Sequence, residues 1–225
     1  VTALERFDDV PKAIRYLESG LEAAPEHVPS LEVLSDLFFS EERWDEAEVL
    51  LERLVGRLDP ASDRGALGRL WYRLAYIAEK HGAPALALER YHSSYEHDST
   101  YLPTLEGLAG ALVRAERWED AQRVLQAILI QHKAALTDAE VVDVHFQIGE
   151  LALRLEQLDR ARKSFERALA LDPKHVSTLW AYARLEEQEG RWEEAYDRRE
   201  TLLELLPDDD PDRMRALLEQ ARLSE

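Results

Sequence analysis

Apolar positions along this chain recur at offsets of three, four and seven residues, with polar positions between them, and nothing alternates with a period of two over a useful length. Such offsets place side chains on one face of an α-helix, so the pattern predicts amphipathic helices throughout and an all-α fold. One small residue marks the register. Ala13, Ala47, Ala87, Ala121, Ala161 and Ala195 each stand near the start of a predicted helix, at spacings of 34, 40, 34, 40 and 34 residues. Four residues after each comes a larger side chain: Leu17, Leu51, Tyr91, Leu125, Phe165 or Arg199. Seven after comes Gly20, Leu54, Ser94, Ile128, Ala168 or Leu202. Arg199 departs from this stripe and predicts loose packing in the last unit.

A second stripe lies 16, 13 and 12 residues before each later alanine: Leu31, Leu34, Ser35; Trp71, Leu74, Ala75; Leu105, Leu108, Ala109; His145, Ile148, Gly149; Leu179, Tyr182, Ala183. Two large residues with a small one beside them let two helices approach closely, so each unit is a helix pair joined by a short turn. Gly82 and Gly190 stand just before second helices, and Pro25, Pro60, Pro173 and Pro207 just after their ends. Pro29 and Pro103 suit the first turn of a helix. A longer period overlies the pairs. The phrases Arg43-Trp44-Asp45-Glu46-Ala47, Arg117-Trp118-Glu119-Asp120-Ala121 and Arg191-Trp192-Glu193-Glu194-Ala195 recur every 74 residues, one short unit plus one long.

These residues resemble the tetratricopeptide repeat. The stretch Phe146 to Lys174 carries the pattern best, with Ile148-Gly149, Ala161, Phe165, Ala168 and Leu171-Asp172-Pro173. Trp71-Tyr72-Arg73-Leu74-Ala75 with Ala87 and Tyr91 also fits. The resemblance implies a right-handed α-α superhelix, a solenoid of stacked antiparallel helix pairs. Its expected divisions are a half repeat (second helix) at 1–26, repeats at 27–61, 62–99, 100–135, 136–174 and 175–208, and a trailing helix at 209–225. The six extra residues of the long spacings fall around Ala61–Ala66 and Ala135–Glu140 and predict an extended first helix or a longer connection. In a stacked array each pair buries its apolar stripe only against its neighbours. Trp118→Ala is then expected to cost about 3–5 kcal/mol if the ring is buried, and Ala121→Leu about 1–3 kcal/mol by overpacking.

In the family the first helices line a concave groove. Carried onto this chain, the groove positions are Glu32 and Asp36, Tyr72 and Tyr76, Glu106 and Gly110, Phe146 and Glu150, Trp180 and Arg184, flanked by Arg69, Arg73, Arg114 and Arg154. Aromatic and arginine side chains are favoured interface anchors. Tyr72, Arg73, Tyr76, Arg114, Phe146, Glu150, Trp180 and Arg184 are therefore the candidate partner-binding residues, for a segment bearing apolar and basic residues. The plainer reading is that Tyr72, Phe146 and Trp180 pack between adjacent helices. The acidic tails of heat-shock chaperones, held by family members through lysine and asparagine, would here meet carboxylates, so such tails are not expected to bind.

Composition narrows the choice further. Of 225 residues, 45% are hydrophobic and 33% charged, enough apolar content for a core and enough charge for wet outer helix faces. The formal net charge of −18 repels phosphate backbones and anionic lipid, excluding nucleic acid and direct membrane docking as expected partners. There is no cysteine, which removes disulfides and thiol catalysis and fits a cytoplasmic, reducing compartment. No apolar run approaches the roughly 20 residues of a membrane span, and no signal peptide opens the chain. The chain starts at Val1 without methionine, the expected mark of a piece of a longer protein.

No cofactor, metal or catalytic constellation is called. There is no phosphate-cradling glycine loop and no serine nucleophile elbow. His92 and His97, five apart, do not share a helical face. His145 reads as a packing residue in place of a core aromatic. Asp208-Asp209-Asp210-Pro211-Asp212 lacks the glycine and distal glutamate of a calcium loop, and reads instead as a helix start near Asp210 or Asp212. Gly107 and Gly110 read as close packing. The function expected is a non-catalytic interaction scaffold. The alternatives are a regulatory or docking segment of a larger enzyme, and an array that self-assembles through its terminal helices, where Met214, Leu217, Leu218 and Leu223 lack a partner.

Overall fold

The structure, a computed structural model, describes residues 10–223. Among the described residues there are twelve helices and no strand: α1 (Val10–Ala23), α2 (Val28–Ser40), α3 (Trp44–Val55), α4 (Arg64–Lys80), α5 (Pro84–His97), α6 (Leu102–Arg114), α7 (Trp118–His132), α8 (Asp138–Arg154), α9 (Leu158–Leu171), α10 (Val176–Gln188), α11 (Trp192–Leu205) and α12 (Pro211–Leu223). They fall into two compact units that meet in sequence at Ala115 and Glu116. In the first unit α2 packs on α3 and α4 on α5, with α1 before them and α6 after. In the second, α8 packs on α9 and α10 on α11, with α7 before and α12 after. No described helix is long and apolar enough to cross a membrane.

All six marker alanines are buried, the most exposed being Ala13 at 1%. In the helix pairs within each unit, Ala47, Ala87, Ala161 and Ala195 stand where the second helix packs on the first, and Leu51, Tyr91, Phe165 and Arg199, four positions on, are buried beside them. Gly107 and Gly149 show how tight this is. A Cβ built on Gly107 would stand 2.4 Å from the Tyr91 ring, and one on Gly149 2.3 Å from the Phe165 ring. Gly110 differs from the close-packing expectation: its nearest neighbour would be the Arg114 side chain at 3.4 Å. The long spacings are resolved as longer first helices. α4 and α8 have 17 residues where α2, α6 and α10 have 13.

Every turn from a first to a second helix uses one left-handed residue. Glycine stands there twice, at Gly82 (φ 67°) and Gly190 (φ 73°), and glutamate three times, at Glu42, Glu116 and Glu156 (φ 56° each). The next amide then reaches back to the helix end, as in Arg43 N–H to Phe38 O at 2.9 Å and Gln157 N–H to Ala152 O at 2.8 Å, which satisfies carbonyls the helix leaves open. The recurrent Arg-Trp phrase begins the second helix. Its arginine stands at the N-cap and pairs with the acid three residues on: Arg43 with Glu46 at 2.7 Å, Arg117 with Asp120 at 2.8 Å, Arg191 with Glu194 at 2.8 Å. Those acids also sit in the first turn, where negative charge suits the helix dipole.

Two packing expectations are corrected. Trp118 is only half-buried and Trp192 is 54% exposed, because the phrase fixes the turn while the cover comes from elsewhere. Trp44 is covered, by Phe39 at 5.2 Å and Tyr76 at 5.8 Å between ring centroids. Trp118 has the Arg154 guanidinium 4.9 Å from its ring centre. Arg199 does not loosen the last unit. It is fully buried and ion-paired with both Glu187 and Glu219. α12 begins as the sequence suggested, with the Asp210 carboxylate accepting from the Asp212 amide at 2.8 Å.

Candidate interaction site

In the first unit, arginines tie each first helix to the next. Arg73 of α4 reaches Asp36 of α2 at 2.6 Å, and Arg114 of α6 pairs with Glu79 of α4. Second helices are tied separately, Arg90 of α5 to Glu48 and Glu52 of α3 at 2.6 and 3.0 Å. The first helices therefore share one face of the unit and the second helices another.

Offsets of three, four and seven residues put Arg69, Tyr72, Arg73 and Tyr76 of α4 on one stripe of that first-helix face. Tyr72 is wedged between Tyr91 and Tyr101, at 6.1 and 5.6 Å, and burial raises the pKa of its hydroxyl. Tyr76 packs on Phe39 at 5.7 Å and carries the Lys80 ammonium 4.9 Å above its ring. The Arg73 guanidinium lies 4.5 Å from the centre of the Phe39 ring while it pairs with Asp36. Beside this stripe is a cleft of about 530 Å³, lined by Glu32, Asp36, Phe39, Arg69, Tyr72, Arg73 and Tyr101 among others. It has an aromatic floor and a rim of both signs. The two α2 carboxylates read from the sequence are not equivalent: Asp36 is held by Arg73, while Glu32 is exposed to water.

The second unit brings Phe146, Glu150, Trp180 and Arg184 together around two smaller clefts, of about 180 and 290 Å³. Phe146 is half-buried against Phe165 at 6.3 Å and His175 at 5.7 Å. Trp180 lies under two guanidinium groups, Arg215 at 5.0 Å and Arg199 at 5.5 Å. Its indole N–H is buried without a hydrogen-bond acceptor among the described residues. Glu150 and the exposed Arg184 line both clefts. Arg154 turns away to Trp118.

The eight candidate residues thus divide four and four between the units. Tyr72 and Phe146 each have two ring neighbours within their unit, and Trp180 has Arg215 of α12 over its ring. The sequence reading missed Arg215 and the two carboxylates around Arg199: Glu187 comes from α10, while Glu219 and Arg215 depend on α12 packing on α11. Arg215 lies on α12, a helix the reading took as a trailing element with an unpartnered apolar side.

Two sequence models of the tetratricopeptide repeat match, one over residues 1–63 and 146–212 and the other over residues 101–174. A curated relative, tetratricopeptide repeat protein 8 of Caenorhabditis elegans, is 26% identical over 196 residues. That match covers 86% of this chain and 36% of the relative, so the chain spans about a third of its length. Among solved structures, YrrB, described as a TPR protein with an unusual peptide-binding site, superposes with a TM-score of 0.71 at 16% identity, over 91% of this chain and 97% of its own. PilF of Pseudomonas aeruginosa gives 0.58 at 22% identity, over 88% and 82%. MamA of Desulfovibrio magneticus RS-1 gives 0.60 at 15% identity, over 79% and 94%. At these identities the structural likeness establishes the fold.

Proposed function

The chain belongs to the tetratricopeptide repeat family, and from that premise we propose that it is a non-catalytic scaffold holding a partner protein or peptide against its first-helix faces. The observation that carries this reading is Arg184, exposed and without an ion pair among the described residues, at the rim of a cleft that also contains Glu150 and the Trp180 ring. The first unit offers a second such surface, where Arg69, Arg73 and Glu32 surround aromatic walls. Residues of this kind bury area at low rotamer cost and fix the orientation of a bound segment. A partner segment carries apolar residues for the aromatic walls and basic residues for Glu32 in the first unit or Glu150 in the second. The test is capture of partners by the whole chain and by variants Arg184→Glu, Tyr76→Ala and Trp180→Ala, each checked for an intact melting transition. Loss of the same captured protein from Arg184→Glu supports the reading; equal capture by all variants overturns it.

A second reading, self-association, draws on α12, where Met214 is 61%, Leu217 43% and Leu218 59% exposed. The side chain of Leu223, named with them from the sequence, lies outside the described residues. Light scattering across a concentration series decides it, and a concentration-independent monomer removes it.

A further inference from the structure

The second-helix face of the first unit carries a groove that the first-helix reading does not use. Its walls are α1 and α3, its floor is α2, and its volume is about 700 Å³. Leu34, Phe38 and Leu50 line the bottom, and Val49 on the α3 wall is 57% exposed. Carboxylates stand along both rims: Glu18 and Glu22, one turn apart on α1, and Asp45 and Glu46 on α3. Glu46 is engaged by Arg43 and Asp45 by His81 at 3.3 Å, whereas Glu18 and Glu22 make no hydrogen bond or ion pair among the described residues. The groove's own cation, Arg53, donates to the Pro25 carbonyl instead.

The neighbouring groove, between α3 and α5, shows what is missing. There Arg90, three residues after its marker alanine, bridges to Glu48 and to Glu52, five residues after the preceding one. The same register in the α1–α3 groove gives Leu50 in place of Arg90 and Glu18 in place of Glu52. One of the two carboxylates is retained, Ile14 stands at the register of the other, Glu48, and the arginine is replaced by an apolar floor. We propose that this groove is a second docking site, for an amphipathic helix of another protein whose apolar stripe is flanked by lysine or arginine. The visiting helix supplies the cation that the chain supplies to itself one groove later, and lays its apolar side chains on Leu34, Leu50 and Val49. The 14-residue α1 and 12-residue α3 give the site room for about three helical turns.

The test is a fluorescence-anisotropy titration of the whole chain with a labelled helical peptide of about 14 residues, leucines on one face flanked by lysines, beside the same peptide with glutamate for lysine. The lysine peptide is expected to bind and the glutamate peptide not to. Glu18→Lys with Glu22→Lys, both exposed, is expected to weaken binding by roughly tenfold or more. Glu193→Lys with Asp197→Lys on α11 makes the same charge change elsewhere and is expected to leave binding within about twofold. Arg184→Glu, which tests the first-helix reading, is expected to leave it unchanged. Absence of binding, equal loss in the two double-lysine variants, equal binding of the glutamate peptide, or loss in Arg184→Glu alone each overturns the proposal.

Discussion

Arg199 and Glu187 form an ion pair in which the guanidinium is wholly buried while the carboxylate keeps 27% of its side-chain surface. Arg199 holds the place that Tyr91 and Phe165 fill in other repeats, and Glu219 on α12 completes its coordination. A buried charge stripped of one partner is costly, whereas removing the whole set is much less so. Arg199→Ala is therefore expected to destabilise the second unit by about 3 kcal/mol, from the lost packing and the lost pair together. Arg199→Leu combined with Glu187→Gln and Glu219→Gln is expected to recover most of that. Thermal melts of the single and triple variants check the order; a triple variant less stable than Arg199→Ala contradicts it.

Gly107→Ala drives a Cβ into the buried Tyr91 ring, and Gly149→Ala into Phe165. Both rings are buried, so each substitution is expected to cost about 1–3 kcal/mol. Gly110→Ala, three residues along the same helix as Gly107, meets only the tip of the long Arg114 side chain, at 3.4 Å. There the gain in helix propensity, about 1 kcal/mol, is expected to prevail. Opposite signs from two glycines on one helix would be read directly in their melting temperatures.

Much of this fold was written in the sequence because local packing dictates it. A helix that must cross its neighbour closely needs a small residue at a fixed place, and the six alanines announce that place. The turns are legible for a similar reason, since Gly82 and Gly190 stand where the backbone turns left-handed. The functional surface was legible as a set of positions but not as a set of roles. Those roles come from residues a full repeat away, such as Asp36 for Arg73 and Glu79 for Arg114. The same phrase leaves Trp44 covered and Trp192 in water, because Phe39 and Tyr76 cover the first and no periodicity encodes that cover. Trp118→Ala is accordingly expected to cost about 1–2 kcal/mol, less than a fully buried ring would.

Glu42, Glu116 and Glu156 adopt the left-handed conformation without being glycine. A side chain in that region carries a steric cost of about 1–2 kcal/mol that glycine avoids, partly offset by glycine's greater freedom when unfolded. Replacing any one of the three by glycine is expected to stabilise its unit by about 0.5–1 kcal/mol. Gly82→Ala and Gly190→Ala are expected to destabilise by about as much. A series of five melts tests the idea, and stabilisation by either alanine variant would refute it.

His145 is the one buried histidine among the described residues, and it holds the position of Leu31, Leu105 and Leu179 in other units. Burial lowers its pKa below the ordinary value of 6.5, and the nearby positive charges of Arg167 and Lys133 lower it further. The unfolded chain therefore takes up a proton at this residue at a higher pH than the folded chain does. Its contribution to stability is complete above pH 6.5 and is lost as the pH falls through the lower, folded value. His145→Leu removes that proton uptake and restores the residue used elsewhere in the stripe. The variant is expected to match or exceed the parent at neutral pH and to hold its melting temperature further into acid. Parallel melts from neutral pH downward give the comparison, and identical slopes for parent and variant would show that His145 does not carry this part of the pH dependence.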